Sequence, residues 1–250
     1  MKFAIITGAG TGIGKAIAHR LLDGDCEILG IGRRIVELRE MQKIDPQKIS
    51  VIAADLSKVD GRKRVVNYVR SKGKQINFLV HNAGVLAPTG KITEVASRAF
   101  KNNLAINLEA PLFLTRELLP KMITGGRILH ISSGAAHSVI PGWGAYCIAK
   151  AALFMLYQVL KEELVGSNVI VGSFSPGIVD TPMQEMIRSL SKENFPQVEL
   201  FRSFKEKGKL SSPEKIADCI NWLLRKATAS EFGEKDWSAK EIFAFLEKND

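Results

Sequence analysis

Cysteine is scarce in this 250-residue chain: Cys26, Cys147 and Cys219 are an odd number without metal-ligand spacing. A disulfide scaffold is excluded, and the usage suits reduced thiols in a cytoplasmic protein. His81, His130 and His137 also lack ligand spacing, so no metal is expected. No apolar run reaches the roughly 18 residues of a membrane span, and none is expected. The N-terminal Phe3-Ala-Ile-Ile stretch is too short for the core of a signal peptide. Aromatic residues make up 7% and form no stacking platform among the basic clusters, which argues against nucleic acid as a partner despite a net charge of +9. The positive excess is spread along the chain. Its densest parts, Arg62-Lys-Arg with Arg70, Lys72 and Lys74, and residues 202–209, read as solvated helix faces. With no linker, repeat or low-complexity tract, one domain is expected over 1–250.

Short apolar runs at 3–6, 26–31, 49–53, 76–81, 127–131 and 168–174 alternate with segments of helical period. The helical candidates are 13–23, 34–43, 57–73, 93–121 with a break, 144–165 and 212–226. This alternation predicts an α/β fold, a doubly wound parallel sheet of Rossmann type in three layers. Residues 180–211 follow the sixth strand and are rich in Met, Ser and Lys. They are expected to form a helical lid over the carboxyl edge of the sheet, where such folds bind ligands. In the tail, about 238–250, Ser238-Ala-Lys-Glu241 has the form of a capping box opening a short helix with Ile242, Phe243 and Leu246. A final strand before it is weakly signalled.

Between the first strand and the first helix stands Thr7-Gly8-Ala-Gly10-Thr11-Gly12-Ile13-Gly14. The spacing is Gly-x-x-x-Gly-x-Gly. Glycines allow a tight turn and close approach of backbone to a pyrophosphate, and the helix N-terminus offers amides and a positive dipole end. The second strand ends in Gly30-Ile-Gly32-Arg33-Arg34, without the carboxylate that would hold both ribose hydroxyls of NAD. Arg33 is instead suited to pair with the 2′-phosphate of NADP, with Arg34 as helper or solvent-facing bystander.

Tyr146 and Lys150 lie one helical turn apart, and Ser133 ends the run Arg127-Ile-Leu-His-Ile-Ser-Ser. The i,i+4 spacing places phenol and ammonium on one helix face, where a cation favours the phenolate, and the lysine together with a cationic nicotinamide would bring the tyrosine down toward neutral pH. Tyr146 is then a general acid toward a carbonyl oxygen, with Ser133 donating a second hydrogen bond. Ser132 is an alternative partner by position alone. Cys147 is rotated about 100° from Tyr146 and reads as packing. Trp143, Met183 and Met186 are candidates to line a substrate pocket, or ordinary core and lid packing.

Together these residues resemble the short-chain dehydrogenase/reductase family over roughly 1–226. Thr7 to Gly14 matches its cofactor loop, with Gly8, Thr11, Gly12, Ile13 and Gly14 implied as contacts. Asp55, beside Leu56, matches its acid near the adenine, though capping of the next helix stays open. Asn82-Ala83-Gly84 matches the loop after the fourth strand. Pro176-Gly177, Val179 and Thr181 match the segment that closes on the nicotinamide carboxamide. Ser133, Tyr146, Lys150 and Asn107 match the catalytic set, and the resemblance assigns Asn107 a water connected to the lysine. Within the family, Gly142-Trp143-Gly-Ala-Tyr146-Cys147-Ile-Ala-Lys150 and Ser175 to Gln184 resemble the sepiapterin reductases and their bacterial benzil-reducing relatives. That group anchors its pterin with a C-terminal aspartate, for which Asp236 is the candidate.

The resemblance implies an NADPH-dependent carbonyl reductase acting on a small ketone or dicarbonyl, as a cytoplasmic homodimer or homotetramer. A 3-oxoacyl carrier-protein reductase and a non-catalytic NADP-sensing module are the alternatives.

Overall fold

The computed structural model describes residues 1–247; residues 248–250, the end of the expected tail, lie outside the described residues. Strands and helices alternate in the order β1 Lys2–Thr7, α1 Gly12–Leu22, β2 Cys26–Gly32, α2 Ile35–Gln42, β3 Ile49–Ala53, α3 Val59–Lys72 and β4 Ile76–His81. There follow α4 Ser97–Leu104, α5 Ala110–Leu118, β5 Met122–Ile131, α6 Gly144–Glu163 and β6 Ile170–Ser175. The chain continues through α7 Pro182–Ser189, α8 Val198–Glu206, α9 Pro213–Arg225, α10 Ala229–Gly233, β7 Asp236–Ser238 and α11 Ala239–Leu246.

All seven strands are parallel, in the order β3-β2-β1-β4-β5-β6-β7. The direction of winding reverses between β1 and β4, so the loops after these two strands part and leave a crevice at their carboxyl ends. One face of the sheet is covered by α1, α9 and α11 through Ile17, Leu21, Ile220, Leu223 and Ile242. The other is covered by α3, α5 and α6 through Val65, Val69, Leu114, Leu118, Tyr157 and Leu160. Strands buried on both faces explain the near-continuous apolar runs that mark them in the sequence. A third apolar cluster, with Trp143, Ile187, Phe195, Val198 and Phe201, joins α7 and α8 to the start of α6.

Several segments sharpen or depart from expectation. The fourth helical segment breaks as expected, at the extended residues Val95 and Ala96 between a 3-10 turn, Ile92–Glu94, and α4; from there it runs on into α5 through a π-turn, Ala105–Glu109, with Pro111 just beyond it. A wider turn relaxes the backbone where proline offers no N–H. β5 begins five residues early, at Met122, because a register shift and Gly125 at φ +77° interrupt its apolar pattern. The weakly signalled final strand is present as β7, beside the unexpected α10. The capping box at Ser238 and Glu241 forms, and Thr228 with Glu231 forms a second. Arg62 is not on a solvated face: it is 9% exposed and donates from Nη1 to the Leu56 carbonyl at 2.8 Å.

Candidate active site

The crevice is locked by Thr7, the last residue of β1. Its Oγ1 donates to Val80 O (3.3 Å) and accepts from the amides of Asn82 and Ala83, each at 3.0 Å. Asn82 returns its side-chain amide to the carbonyls of Thr7 (2.9 Å) and Gly8 (3.2 Å). Strand ends β1 and β4 are thereby held together, and α1 is drawn close. A Cβ on Gly8, at φ +68°, would lie 2.9 Å from Ala83 Cα, and one on Gly14 would overlap the Gly8 carbonyl. The loop is thus a cradle of bare backbone. At the N-terminus of α1, Thr11 makes no side-chain cap and the first turn carries no acid, so its dipole faces the crevice uncompensated.

The adenosine end is built at the tips of β2 and β3. Arg33 is exposed, whereas Arg34 is engaged by Glu37 at 2.7 Å. Asp55 accepts from the Ser57 amide (3.0 Å) and hydroxyl (2.7 Å) in the turn before α3, whose N-cap position is Lys58, so it does not cap that helix. Burial pushes its carboxyl up, but the Ser57 bonds with the charges of Arg33 and Lys58 outweigh this and hold it below the usual range. Leu56 is buried behind it in the core. Glycine cradle, open helix end and free arginine fit a dinucleotide carrying an extra phosphate.

At the other end of the crevice, β5 and α6 bring Ser133, Tyr146 and Lys150 together. Tyr146 is 7% exposed, and burial pushes its phenol up to about 12 against a hydrogen bond from Ser133 that favours the phenolate. The lowering expected from Lys150 together with a cationic nicotinamide is opposed in the protein alone by burial, the larger effect. The Nζ lies 5.6 Å from the tyrosine ring centroid and donates to Ile131 O at 2.7 Å, so the cation is spent in part on the strand. Lys150 itself is brought down to about 8 by burial, opposed by the negative charge of Asp236. Ser133 was selected over Ser132 on spacing, and the two part ways: Ser133 serves Tyr146 while Ser132 donates to Asp236 at 3.1 Å.

Asn107 sits in the π-turn and pins the loop after β4. Its Nδ2 donates to Val85 O (2.9 Å) and Asn103 Oδ1 (2.9 Å), and its Oδ1 accepts from the Val85 amide (3.1 Å). The side chain is thus occupied as a brace, and a Cβ on Gly84 would fall 3.1 Å from its Oδ1 and 3.9 Å from Lys150 Nζ. Asn103 extends the brace, donating to the carbonyls of Val85, Leu86 and Ala87. This i,i+4 pair was legible as spacing, but nothing in the sequence marks Asn103 as buried.

The lid is two helices. Thr181 caps α7, accepting from the Gln184 amide at 3.4 Å, and its Cγ2 would lie 3.1 Å from a Cβ on Gly12. Lid and glycine loop thus meet where the crevice closes, below Pro176 and Gly177. Val179 is buried and bridges Ser211. Trp143 is 5% exposed and stacked on Phe195 at 4.9 Å, so it anchors the lid to α6. Met183 and Cys147 pack partly buried around the same cluster, and Met186 is exposed.

Asp236 is not a free anchor. Its carboxylate accepts from Ser173 Oγ (2.7 Å) and Ser132 Oγ (3.1 Å) and meets His137 Nε2 at 2.8 Å. The expected pterin contact overlooked that β7 places this residue in register with Ser173, facing side chains already in need of an acceptor. The sequence did not show that Ser132, Ser173 and His137 meet on one carboxylate. Only the alternation of His130 on β5 with Ser132 just past its end hinted at a polar row.

The model of the short chain dehydrogenase family matches residues 2–192. The chain belongs to the short-chain dehydrogenase family. It is an oxidoreductase of this family, whose members use nicotinamide cofactors on small-molecule substrates. A benzil reductase ((S)-benzoin forming) of Bacillus cereus is 36% identical over 236 residues, covering 90% of this chain and 94% of its own. A short-chain dehydrogenase/reductase of Saccharomyces cerevisiae superposes with a TM-score of 0.90 at 29% identity, covering 98% of this chain and 99% of that one. An NADP-bound structure described as a gluconate 5-dehydrogenase of Beutenbergia cavernae superposes with a TM-score of 0.83 at 26% identity, covering 95% and 94%. No helix among the described residues is long and apolar enough to cross a membrane.

Proposed function

We propose that this protein is an NADPH-dependent carbonyl reductase acting on a small planar diketone or a related ketone. The observation that carries the reading is the convergence of Ser133, Tyr146 and Lys150 at the mouth of a glycine cradle, with Arg33 free at its far end. The likeness to a benzil-reducing enzyme supports the diketone class, and the NADP-bound relative supports the cofactor. When bound, NADPH supplies the hydride.

The chain's own residues would hold that cofactor and manage the proton. Gly8 to Gly14 and the α1 terminus take the pyrophosphate, Arg33 the 2′-phosphate, and Lys150 the nicotinamide ribose. Asp55 and Leu56 flank the adenine, Asn82-Ala83-Gly84 backs the crevice, and Pro176, Gly177, Val179 and Thr181 cover the nicotinamide. Burial keeps the proton on Tyr146 at neutral pH, the right resting state for a general acid. Ser133 donates to the developing alkoxide and stabilises the phenolate once the proton has left, and the nearby Lys150 ammonium favours the same state. Asn107 holds the Gly84 loop against Lys150, from whose side the proton is restored. Trp143 and Met183 act through the lid, setting the roof over the substrate.

The test is NADPH consumption by the purified protein with benzil and sepiapterin side by side. Tyr146→Phe is expected to lower kcat at least ~100-fold while binding NADPH normally. Turnover of neither compound overturns the substrate class, and full activity in Tyr146→Phe overturns the chemistry. An intact biological output from that inactive variant would favour a sensor.

A further inference from the structure

Behind the catalytic residues runs a row of polar side chains that the reaction as described does not use. His130 on β5 pairs with Ser173 on β6, which pairs with Asp236 on β7, so the three lie abreast on one face of the sheet. That face is turned to α6. His137 packs edge-on against Phe154 with ring centroids 4.5 Å apart, and Tyr157 donates to Gly233 O at 2.9 Å. Lys150, Phe154 and Tyr157 recur at i, i+4 and i+7, so they form one stripe of α6 lying over the row.

Lys150 and Asp236 are linked to adjacent residues of β5. The Nζ donates to the carbonyl of Ile131, and the next residue, Ser132, donates its hydroxyl to Asp236. Lys150 is 4% exposed, and the Asp236 side chain 8%. Two opposite charges removed from water at one strand end call for each other, because an isolated buried charge is costly. We propose that Asp236 is a positioning residue for the reductase: its carboxylate, gripped by Ser132, Ser173 and His137, is the counter-charge that holds the Lys150 ammonium in place beside Tyr146.

The other titratable groups around the pair do not replace it. Tyr146 on α6 is protonated, and His130 on β5 is kept neutral by burial, which takes it to about 3. Tyr157 is likewise pushed up to about 12 and stays neutral. His137 meets the same carboxylate oxygen as Ser132, Oδ2, and is half exposed; an imidazole offers the Lys150 ammonium no negative charge. Asp236 supplies the pull that opposes the desolvation of Lys150.

The kinetic arm of the test rests on the carbonyl-reductase reading; the thermodynamic arm does not. In the thermodynamic arm, melting temperatures at pH 7 are measured for wild type, Asp236→Asn, Lys150→Met and the double variant. At that pH Lys150, at about 8, is charged, and removing its partner strands a buried cation. Asp236→Asn is therefore expected to lower the Tm more in wild type than in Lys150→Met. Equal losses in both backgrounds overturn the proposal. Should Asp236→Asn fail to fold, Ser132→Ala carries the same cycle with the same sign and a smaller size.

In the kinetic arm, kcat is followed from pH 6 to 10. Asp236→Asn is expected to move the alkaline limb down by about one pH unit, from near 8, with KM within about twofold and Asp236→Glu restoring part of the shift. A lower kcat with an unmoved limb identifies Asp236 as a mere brace of β7. A wild type inactive on every carbonyl overturns the reductase reading, while the thermal cycle still decides the proposal.

Discussion

Arg33 and Arg34 are neighbours with the same charge, and their different surroundings assign their work. Arg34 opens α2 and spends its guanidinium on Glu37 one turn later, while Arg33 projects exposed from the end of β2 toward the mouth of the crevice. A charge-assisted pair with a phosphate contributes roughly 1.5–3 kcal/mol. Arg33→Ala is accordingly expected to raise the KM for NADPH about 10- to 100-fold and to leave that for NADH within about threefold. Comparable changes for both would assign Arg33 to the shared part of the cofactor. The residues proposed to meet ligand were legible in sequence because that chemistry needs fixed types at fixed spacing, as with Tyr146 and Lys150. Those that act from behind were not. Asp236, His137 and Ser173 are remote in sequence from the residues they support, and only the pairing of β5, β6 and β7 brings them together. For Tyr146, spacing reveals a neighbouring cation but not the loss of water, which is the larger effect in the protein alone.

Among the elements, the two lid helices are clamped by one polar residue in addition to their apolar cluster. Arg202 on α8 donates to Arg188 O (3.1 Å) and Leu190 O (3.3 Å) at the end of α7 and pairs with Glu199 at 2.6 Å. It satisfies carbonyls that the helix leaves open and ties the two lid helices into one body. Arg202→Met keeps the stem and removes the fork. It is expected to raise the KM for the carbonyl substrate several-fold, speed proteolytic cutting within 190–197, and leave NADPH affinity unchanged; an unaltered cutting rate would show that Phe195 and Phe201 alone hold the lid. The segment's character as a lid was readable from its place after the sixth strand and its composition. Its internal clamp was not, since residues 202–209 present themselves as another cationic helix face. The reverse holds for the tail, where Ser238 and Glu241 announce a helix start that packing on α9 and β7 then completes.

For the molecule as a whole, acid stability has a defined origin. Burial takes His130 to about 3 and His81 well below its ordinary value, so the folded chain refuses protons that the unfolded chain binds as pH falls from about 6.5. Stability is therefore lost as the pH drops through that window. Carboxylates such as Glu241, held at about 2, contribute their own loss only below their ordinary value of 4.5. A fall in Tm between pH 7 and 5 thus belongs to the histidines, and His130→Leu is expected to flatten it. An unchanged slope would mean that His81, hydrogen-bonded to Thr115 at 2.8 Å, carries it alone.

The distribution of the net charge of +9 limits where two copies of the chain could meet. The groove between α3 and α5 carries Arg62, Lys63, Arg70 and Arg116, with Glu117 the acid among its lining residues and already engaged by two of these cations. Two copies meeting there would repel. On α6, Ile148, Met155 and Val159 recur at i, i+7 and i+11 as an exposed apolar stripe. We propose that a second copy of the chain covers that stripe. Met155→Lys would place a charge in its middle, and light scattering is expected to show a shift to smaller species. A mass unchanged by Met155→Lys and by Val159→Lys would move the interface off α6.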